Sequence, residues 1–253
     1  MEEMNKYAMI FAAGKGTRLG DISIHTPKAL VRIAETPLLY YVLIKLYHSG
    51  FNHVVVNIHH HAGLIRDFLT NFYIKNFNIY ISDEKSKLFD TGGGLKYAAE
   101  FFQDAEHILL HNVDVISDID LNVLYETHCK DHNLATIAVK QRESSRFFLF
   151  DENNMLKGWK NTSTGETRLH SDSQNLTPMA FSGIHTVSRK IFELLPDEDV
   201  FSMTDVYLRL CKDYPVKAYQ HNMDQWVDVG KPEHFSKAEL ILQTQKKNYE
   251  NLH

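Results

Sequence analysis

Short apolar runs alternate with amphipathic segments through the first half of the chain, and this alternation predicts its elements. Tyr7–Ala12 reads as a buried strand and Pro37–Ser49 as a helix stopped at Gly50. Then follow a strand over Val54–Ile58, a helix over Gly63–Phe72, a strand over Asn78–Ser82 and a helix over Gly93–Phe102. His107–Asn112 reads as a strand, Leu121–Asp131 as a helix and Ala135–Val139 as a strand. Strands that alternate with helices need crossover connections, so the rhythm predicts an α/β fold: a mostly parallel sheet with helices on both faces.

The pattern changes after Lys140. Phe147–Asp151 and Met155–Lys160 form a predicted hairpin around Glu152-Asn153-Asn154, followed by the polar stretch Asn161–Thr177. Further strands are expected at Ala180–Thr186, Val216–Gln220 and Gln225–Val229, with helices over Thr204–Asp213 and Pro232–Lys246. We therefore expect one domain over residues 1–253: an α/β core over about 1–140, a small β-rich insertion over about 141–230, and a C-terminal helix over 231–253.

Composition narrows the function. The 253 residues are 43% hydrophobic, enough for a large core, and the net charge of −5 without Lys/Arg blocks speaks against nucleic-acid or membrane-surface partners. Two cysteines, Cys129 and Cys211, give neither a disulfide framework nor a metal-binding spacing. With no apolar signal core and no run long enough to span a bilayer, the expected location is the cytoplasm.

Directly after the first predicted strand stands Phe11-Ala12-Ala13-Gly14-Lys15-Gly16-Thr17-Arg18-Leu19. Glycines there let backbone N–H groups approach a phosphate, and Arg18 adds a charge that cannot be neutralised. The loop fits neither the P-loop nor the dinucleotide fingerprint, because Leu19 occupies the position of the required later glycine in both. Lys28, held next to Pro27 and just before Ala29-Leu30-Val31, is a second placed cation.

Two carboxylates complete the candidate chemistry. Asp114 follows the strand run Ile108-Leu109-Leu110 through His111-Asn112-Val113, where it can cap a turn or point a metal ligand into a crevice. Asp228 lies between Val227 and Val229 in Trp226-Val227-Asp228-Val229-Gly230, so it alternates onto the opposite face from its neighbours. An acidic residue inside an apolar run costs free energy unless it is paired or coordinated. The adjacent His59-His60-His61 cannot all face one metal from a regular element, so they read as loop and cap residues. Asp83-Glu84, just past a strand end, could face a base.

Ala12-Ala13-Gly14-Lys15-Gly16-Thr17-Arg18-Leu19, followed by Thr26-Pro27-Lys28-Ala29-Leu30, closely resembles the signature of the sugar-1-phosphate nucleotidylyltransferases. The spacer departs from the family pattern at Asp21 and Ser23, and Val113 replaces a usual glycine. The resemblance implies that the loop residues Ala12, Ala13, Gly14, Lys15, Gly16 and Thr17 wrap the triphosphate of an NTP. Arg18 and Lys28 would be the catalytic cations, Asp114 and Asp228 the Mg²⁺ ligands, and Asn57, Gly92, Gly93 and Asn112 further nucleotide contacts. On the sugar side, Phe181-Ser182-Gly183-Ile184 resembles the strand whose glycine backs the sugar ring, and Lys157 and Lys160 are candidates for the sugar phosphate. The family's Glu-Lys-Pro is absent there.

The implied reaction joins an NTP to a sugar 1-phosphate and releases pyrophosphate. The resemblance is nearest to the N-acetylmuramate-1-phosphate uridylyltransferases of cell-wall sugar recycling, with mannose- and heptose-1-phosphate guanylyltransferases next. The chain stops at His253 after the terminal helix, so no β-helical acetyltransferase domain is expected. A non-catalytic nucleotide-sugar-binding regulator would be expected to lose the metal ligands. A Rossmann oxidoreductase would need the missing third glycine.

Overall fold

The computed structural model describes residues 5–14, 16–20, 22–85, 87–170 and 175–250. Chain contacts divide the protein into two compact units. The first comprises Met1–Leu88, His111–Leu121 and Asp224–His253, and the second Phe89–Leu110 and Asn122–Met223.

The first unit holds the expected parallel strands. Tyr7–Phe11 pairs with His53–Ile58, which pairs with Asn78–Asp83, all in parallel register. The first strand is buried at every position, as a strand covered on both faces must be. Helix Leu38–His48 buries Leu38, Leu39, Val42, Leu43 and Leu46, the spacing of one apolar helical stripe. Its end at Ser49 and Gly50 is set by Gly50 in the left-handed region, φ 75°.

The same unit contains a two-stranded antiparallel ladder. Val115–Ser117 pairs with Trp226–Asp228, with Asp228 opposite Val115 and Val227 opposite Ile116. Val227 and Val229 are buried with Ile116, Leu19, Val31, Ile33, Leu38, Ala238, Ile241 and Leu242. This cluster anchors the ladder. The predicted terminal helix begins with a 3₁₀ turn over Pro232–His234 and continues as Phe235–Glu250.

The second unit carries the β-rich part. Thr177–Ser188 pairs antiparallel with Ala135–Lys140 and with Arg146–Phe150, while Val216–Gln220 runs parallel to Ala135–Lys140. The expected hairpin forms between Arg146–Phe150 and Leu156–Asn161, with Asn154 at its tip in the left-handed region, φ 60°. In the polar stretch after it, Thr167–Leu169 forms a short strand paired with Gly158–Lys160. The helix expected over Gly93–Phe102 is split into Asp90–Tyr97 and a 3₁₀ turn at Ala99–Phe102.

Candidate active site

The carboxyl ends of the parallel strands in the first unit place the loop. Ala12 follows Phe11 directly, and its N–H donates to Asn57 Oδ1 at 2.7 Å; Asn57 stands opposite Phe11 in the neighbouring strand. Asn57 Nδ2 donates in turn to Glu84 Oε1 at 2.7 Å. Beyond Ala13, no atom of the described residues other than its chain neighbours lies near the position a Gly14 Cβ would take, so the backbone there is open to a ligand. Gly16 takes a left-handed φ of 65°, which only glycine adopts at no steric cost. Its carbonyl accepts the N–H of Leu19 at 2.9 Å, closing the 3₁₀ turn Thr17–Leu19, and buried Leu19 pins that turn to the core. Lys15 lies outside the described residues, and of Thr17 only the backbone is described.

Lys28 is the other cation, and its placement follows from Pro27. With Pro27 extended at φ −60° and ψ 145°, the chain enters the short 3₁₀ turn Lys28–Leu30 with Lys28 only 9% exposed. A lysine so covered needs a carboxylate. Its ammonium donates to Asp114 Oδ2 and stands 3.8 Å from Asp228 Oδ1. Arg18, largely exposed, reaches Asp228 Oδ2 with Nη2 at 3.4 Å.

The two carboxylates are neighbours because of the ladder. Asp114 sits one residue before Val115, and Val229, one residue past Asp228, donates its N–H to the Asp114 carbonyl at 2.8 Å. The N–H of Val113 donates to the Phe11 carbonyl at 3.2 Å, which ties this turn to the root of the loop. Val113 is buried and none of His111 to Asp114 takes a positive φ, so the backbone here does not require a glycine. His234 donates from Nδ1 to the Asp228 carbonyl and steadies the strand end from the other side.

Burial, and after it the neighbouring Asp114 carboxylate, pushes the Asp228 carboxyl above the usual carboxylate range; Lys28 and Arg18 act in the opposite sense. Asp228 Oδ1 is buried and receives no hydrogen bond from the described residues. Two adjacent carboxylates with an unsatisfied oxygen fit a divalent cation such as Mg²⁺, which takes one or two carboxylates and fills its shell with water and phosphate oxygens. Among the described residues no third His, Cys, Asp or Glu joins them, so the remaining ligands would come from solvent and substrate.

Residues 7–157 match the family model described as nucleotidyl transferase. The chain belongs to the nucleotidyl transferase family. A UTP–glucose-1-phosphate uridylyltransferase from Synechocystis is 28% identical over 95% of this chain, which spans 64% of that relative's length. An N-acetylmuramate α-1-phosphate uridylyltransferase from Caulobacter vibrioides is also 28% identical, over 96% of this chain and 99% of its own length. Among solved structures, a UDP-glucose pyrophosphorylase from Acinetobacter baumannii superposes with a TM-score of 0.77 at 17% identity, covering 99% of this chain and 100% of that one. The α/β fold with helices around a mostly parallel sheet is thus the nucleotide-diphospho-sugar transferase type.

The other candidate residues of this nucleotidyl transferase are held by both units. Asn112 ends the strand His107–Asn112, and its carbonyl accepts from His111 Nδ1 at 2.8 Å. Gly92 and Gly93 open the helix Asp90–Tyr97 in the second unit, and the N–H groups of both donate to the Phe201 carbonyl. A Cβ on Gly93 would stand 1.9 Å from the Asp199 carbonyl oxygen. Packing inside the second unit therefore accounts for both glycines. Gly183 has φ 75° where the register of Thr177–Ser188 slips, and the adjacent Ser182 bonds His221 Nε2 at 2.6 Å. Lys157 is ion-paired with Asp151 at 3.5 Å, and Lys160 lies 5.6 Å over the Phe147 ring.

Three contributors to the first unit's site carried little sequence signal. Gly230 shows what it does only in three dimensions: a Cβ there would stand 2.7 Å from Asp228 Oδ1 and 2.8 Å from Arg18 Cζ. His234 is one histidine among many. Glu84 was legible only as a charge past a strand end, and its burial at 2% exposure marks it out. Among the described residues no helix is long and apolar enough to cross a membrane.

Proposed function

We propose that this nucleotidyl transferase joins an NTP to a sugar 1-phosphate and releases pyrophosphate, with UTP and N-acetylmuramate 1-phosphate as its substrates. The observation that carries the reading is the cluster of Arg18, Lys28, Asp114 and Asp228 beside an open glycine loop. A regulator that merely held a nucleotide sugar would have no use for two carboxylates kept side by side. UTP is favoured because both relatives described above are named for it. The muramyl sugar is favoured because the Caulobacter relative is matched from end to end, whereas the Synechocystis one is matched over 64% of its length.

In this reading, an oxygen of the sugar phosphate attacks the α-phosphorus of the NTP. The bond from that phosphorus to the bridging oxygen breaks, and pyrophosphate leaves with the electron pair. The nucleophile needs no general base, since the second pKa of a phosphate monoester is near 6. The protein's work is to hold two anions together and to stabilise the charge that develops on the leaving group. The loop N–H groups around Gly14 and Gly16 bind the phosphates, Arg18 neutralises the departing pyrophosphate, and Lys28 the reacting phosphates. Asp114 and Asp228 would hold Mg²⁺, which supplies Lewis-acid charge neutralisation when bound. Gly183 with Lys157 or Lys160 is the proposed sugar-phosphate group of the second unit.

The test is a pyrophosphate-release matrix of four NTPs against muramyl, glucosyl, mannosyl and heptosyl 1-phosphates, each with Mg²⁺. The reading expects the highest kcat/KM for UTP with N-acetylmuramate 1-phosphate. A maximum at GTP with mannose or heptose 1-phosphate would replace the substrates and keep the reaction. Release from no pair would overturn the proposal.

A further inference from the structure

We infer that Glu84 is a positioning residue for the triphosphate loop, acting through Asn57. The inference rests on the proposed reading of that loop. The three partners stand at the carboxyl ends of three adjacent parallel strands: Ala12 after Tyr7–Phe11, Asn57 near the end of His53–Ile58, and Glu84 just past Asn78–Asp83. Asn57 and Glu84 are each only 2% exposed, so water does not substitute for a missing partner.

The chemistry of the relay fixes its direction. The Ala12 N–H can only donate, so it takes the amide oxygen of Asn57, and the amide NH₂ is left to donate to a Glu84 carboxyl oxygen. Between them stands a side chain with one end of each kind. Asn57 therefore has a single orientation that satisfies both neighbours, with Oδ1 toward Ala12 and Nδ2 toward Glu84, each at 2.7 Å. Glu84 is itself held by its backbone, its N–H donating to the Ile58 carbonyl at 2.9 Å and its carbonyl accepting from Lys87 at 3.0 Å. Without the Glu84 carboxylate the Asn57 amide can turn over, and the Ala12 N–H then faces an NH₂ group. Ala12 lies two residues before the open backbone at Gly14, so an error at Ala12 is passed to the phosphate contacts that follow.

The test exploits this polarity. Asn57→Asp keeps the acceptor for Ala12 but sets two carboxylates against each other. Adding Glu84→Gln restores a donor between them, with the hydrogen bond now running from Gln to Asp. Asn57→Asp should raise the KM for the NTP by about tenfold or more, the scale of one lost buried hydrogen bond. The KM for the sugar 1-phosphate should stay within about twofold, and the double variant should recover the NTP KM to within about threefold. A double variant no better than Asn57→Asp, or an Asn57→Asp enzyme with an unchanged NTP KM, overturns the inference. If Asn57→Asp does not fold, Glu84→Gln against Glu84→Leu decides: the first should keep NTP affinity, the second lose it, and equal behaviour overturns the relay. Hydrogen exchange at the Ala12 amide and calorimetric titration with inorganic triphosphate and Mg²⁺ follow the same variants without turnover. A wild-type enzyme that releases no pyrophosphate would thus defeat the proposed function while the exchange and titration still judge the relay.

Discussion

The backbone N–H of Val229 donates to the carbonyl of Asp114 at 2.8 Å, and this bond brings two carboxylates from distant parts of the chain side by side. The short ladder of Val115–Ser117 and Trp226–Asp228 exists to make it, and the buried Val227 and Val229 hold the ladder in place. If both carboxylates serve the reaction, each should be needed. Asp114→Ala and Asp228→Ala are expected to cut the rate of pyrophosphate release by at least ~100-fold, the scale of losing a placed charge-stabilising group. Steady-state kinetics on variants with unchanged circular dichroism checks this, and a near-normal rate in either would remove that residue from the site.

Lys28 currently balances the pair, standing against Asp114 and 3.8 Å from Asp228. Replacing it by methionine leaves two facing carboxylates with no neighbouring ammonium. The thermal midpoint of Lys28→Met should therefore rise with millimolar Mg²⁺ more than that of the wild type, since a cation that binds only the folded state stabilises it. Added EDTA should reverse the difference. Equal Mg²⁺ responses would contradict the placement of the cation.

Gly230 is glycine for reasons of space, because a Cβ would crowd both Arg18 and Asp228 Oδ1. The guanidinium is the movable party, so Gly230→Ala should displace Arg18 with little loss of stability. Turnover is expected to fall by about tenfold, less than in Arg18→Ala, which should lose ~100-fold. Parallel measurement of kcat and of the thermal midpoint separates this outcome from general unfolding.

Two buried histidines set an acid limit on stability. Burial, reinforced by Lys45, holds His111 down to about 4, and burial holds His128 down to about 3, from an ordinary 6.5. The folded protein thus refuses protons that the unfolded chain accepts below pH 6.5. Stability is full above that pH and is lost as pH falls toward 4, at ~1.4 kcal/mol per histidine by pH 5.5. Denaturant midpoints at pH 7.5 and 5.5 measure it, and His128→Gln should flatten part of the loss.

Much of this architecture was legible in the chain. Runs such as Tyr7–Phe11 and Val54–Val56 announce themselves because strands buried on both faces are continuously apolar. The valines around Asp228 gave its orientation through simple alternation, and the structure has both buried as that reading requires. Val115–Ser117 was not legible, because three residues carry no periodicity and its partner lies more than a hundred residues away. Chain distance also hid the role of Gly230 beside Arg18, and Glu84 meets its partner Asn57 from 27 residues away on a neighbouring strand. A glycine needed for another residue's side chain, and a carboxylate that works through an asparagine, leave no local pattern.

Pyrophosphate release from UTP and N-acetylmuramate 1-phosphate, compared between the wild type and Asp228→Ala, decides whether the carboxylate pair serves this reaction. The account predicts release by the wild type only when both substrates and a divalent cation are present, and at least ~100-fold less from the variant. Release that proceeds without the sugar 1-phosphate or after EDTA, or at the wild-type rate in folded Asp228→Ala, would contradict it.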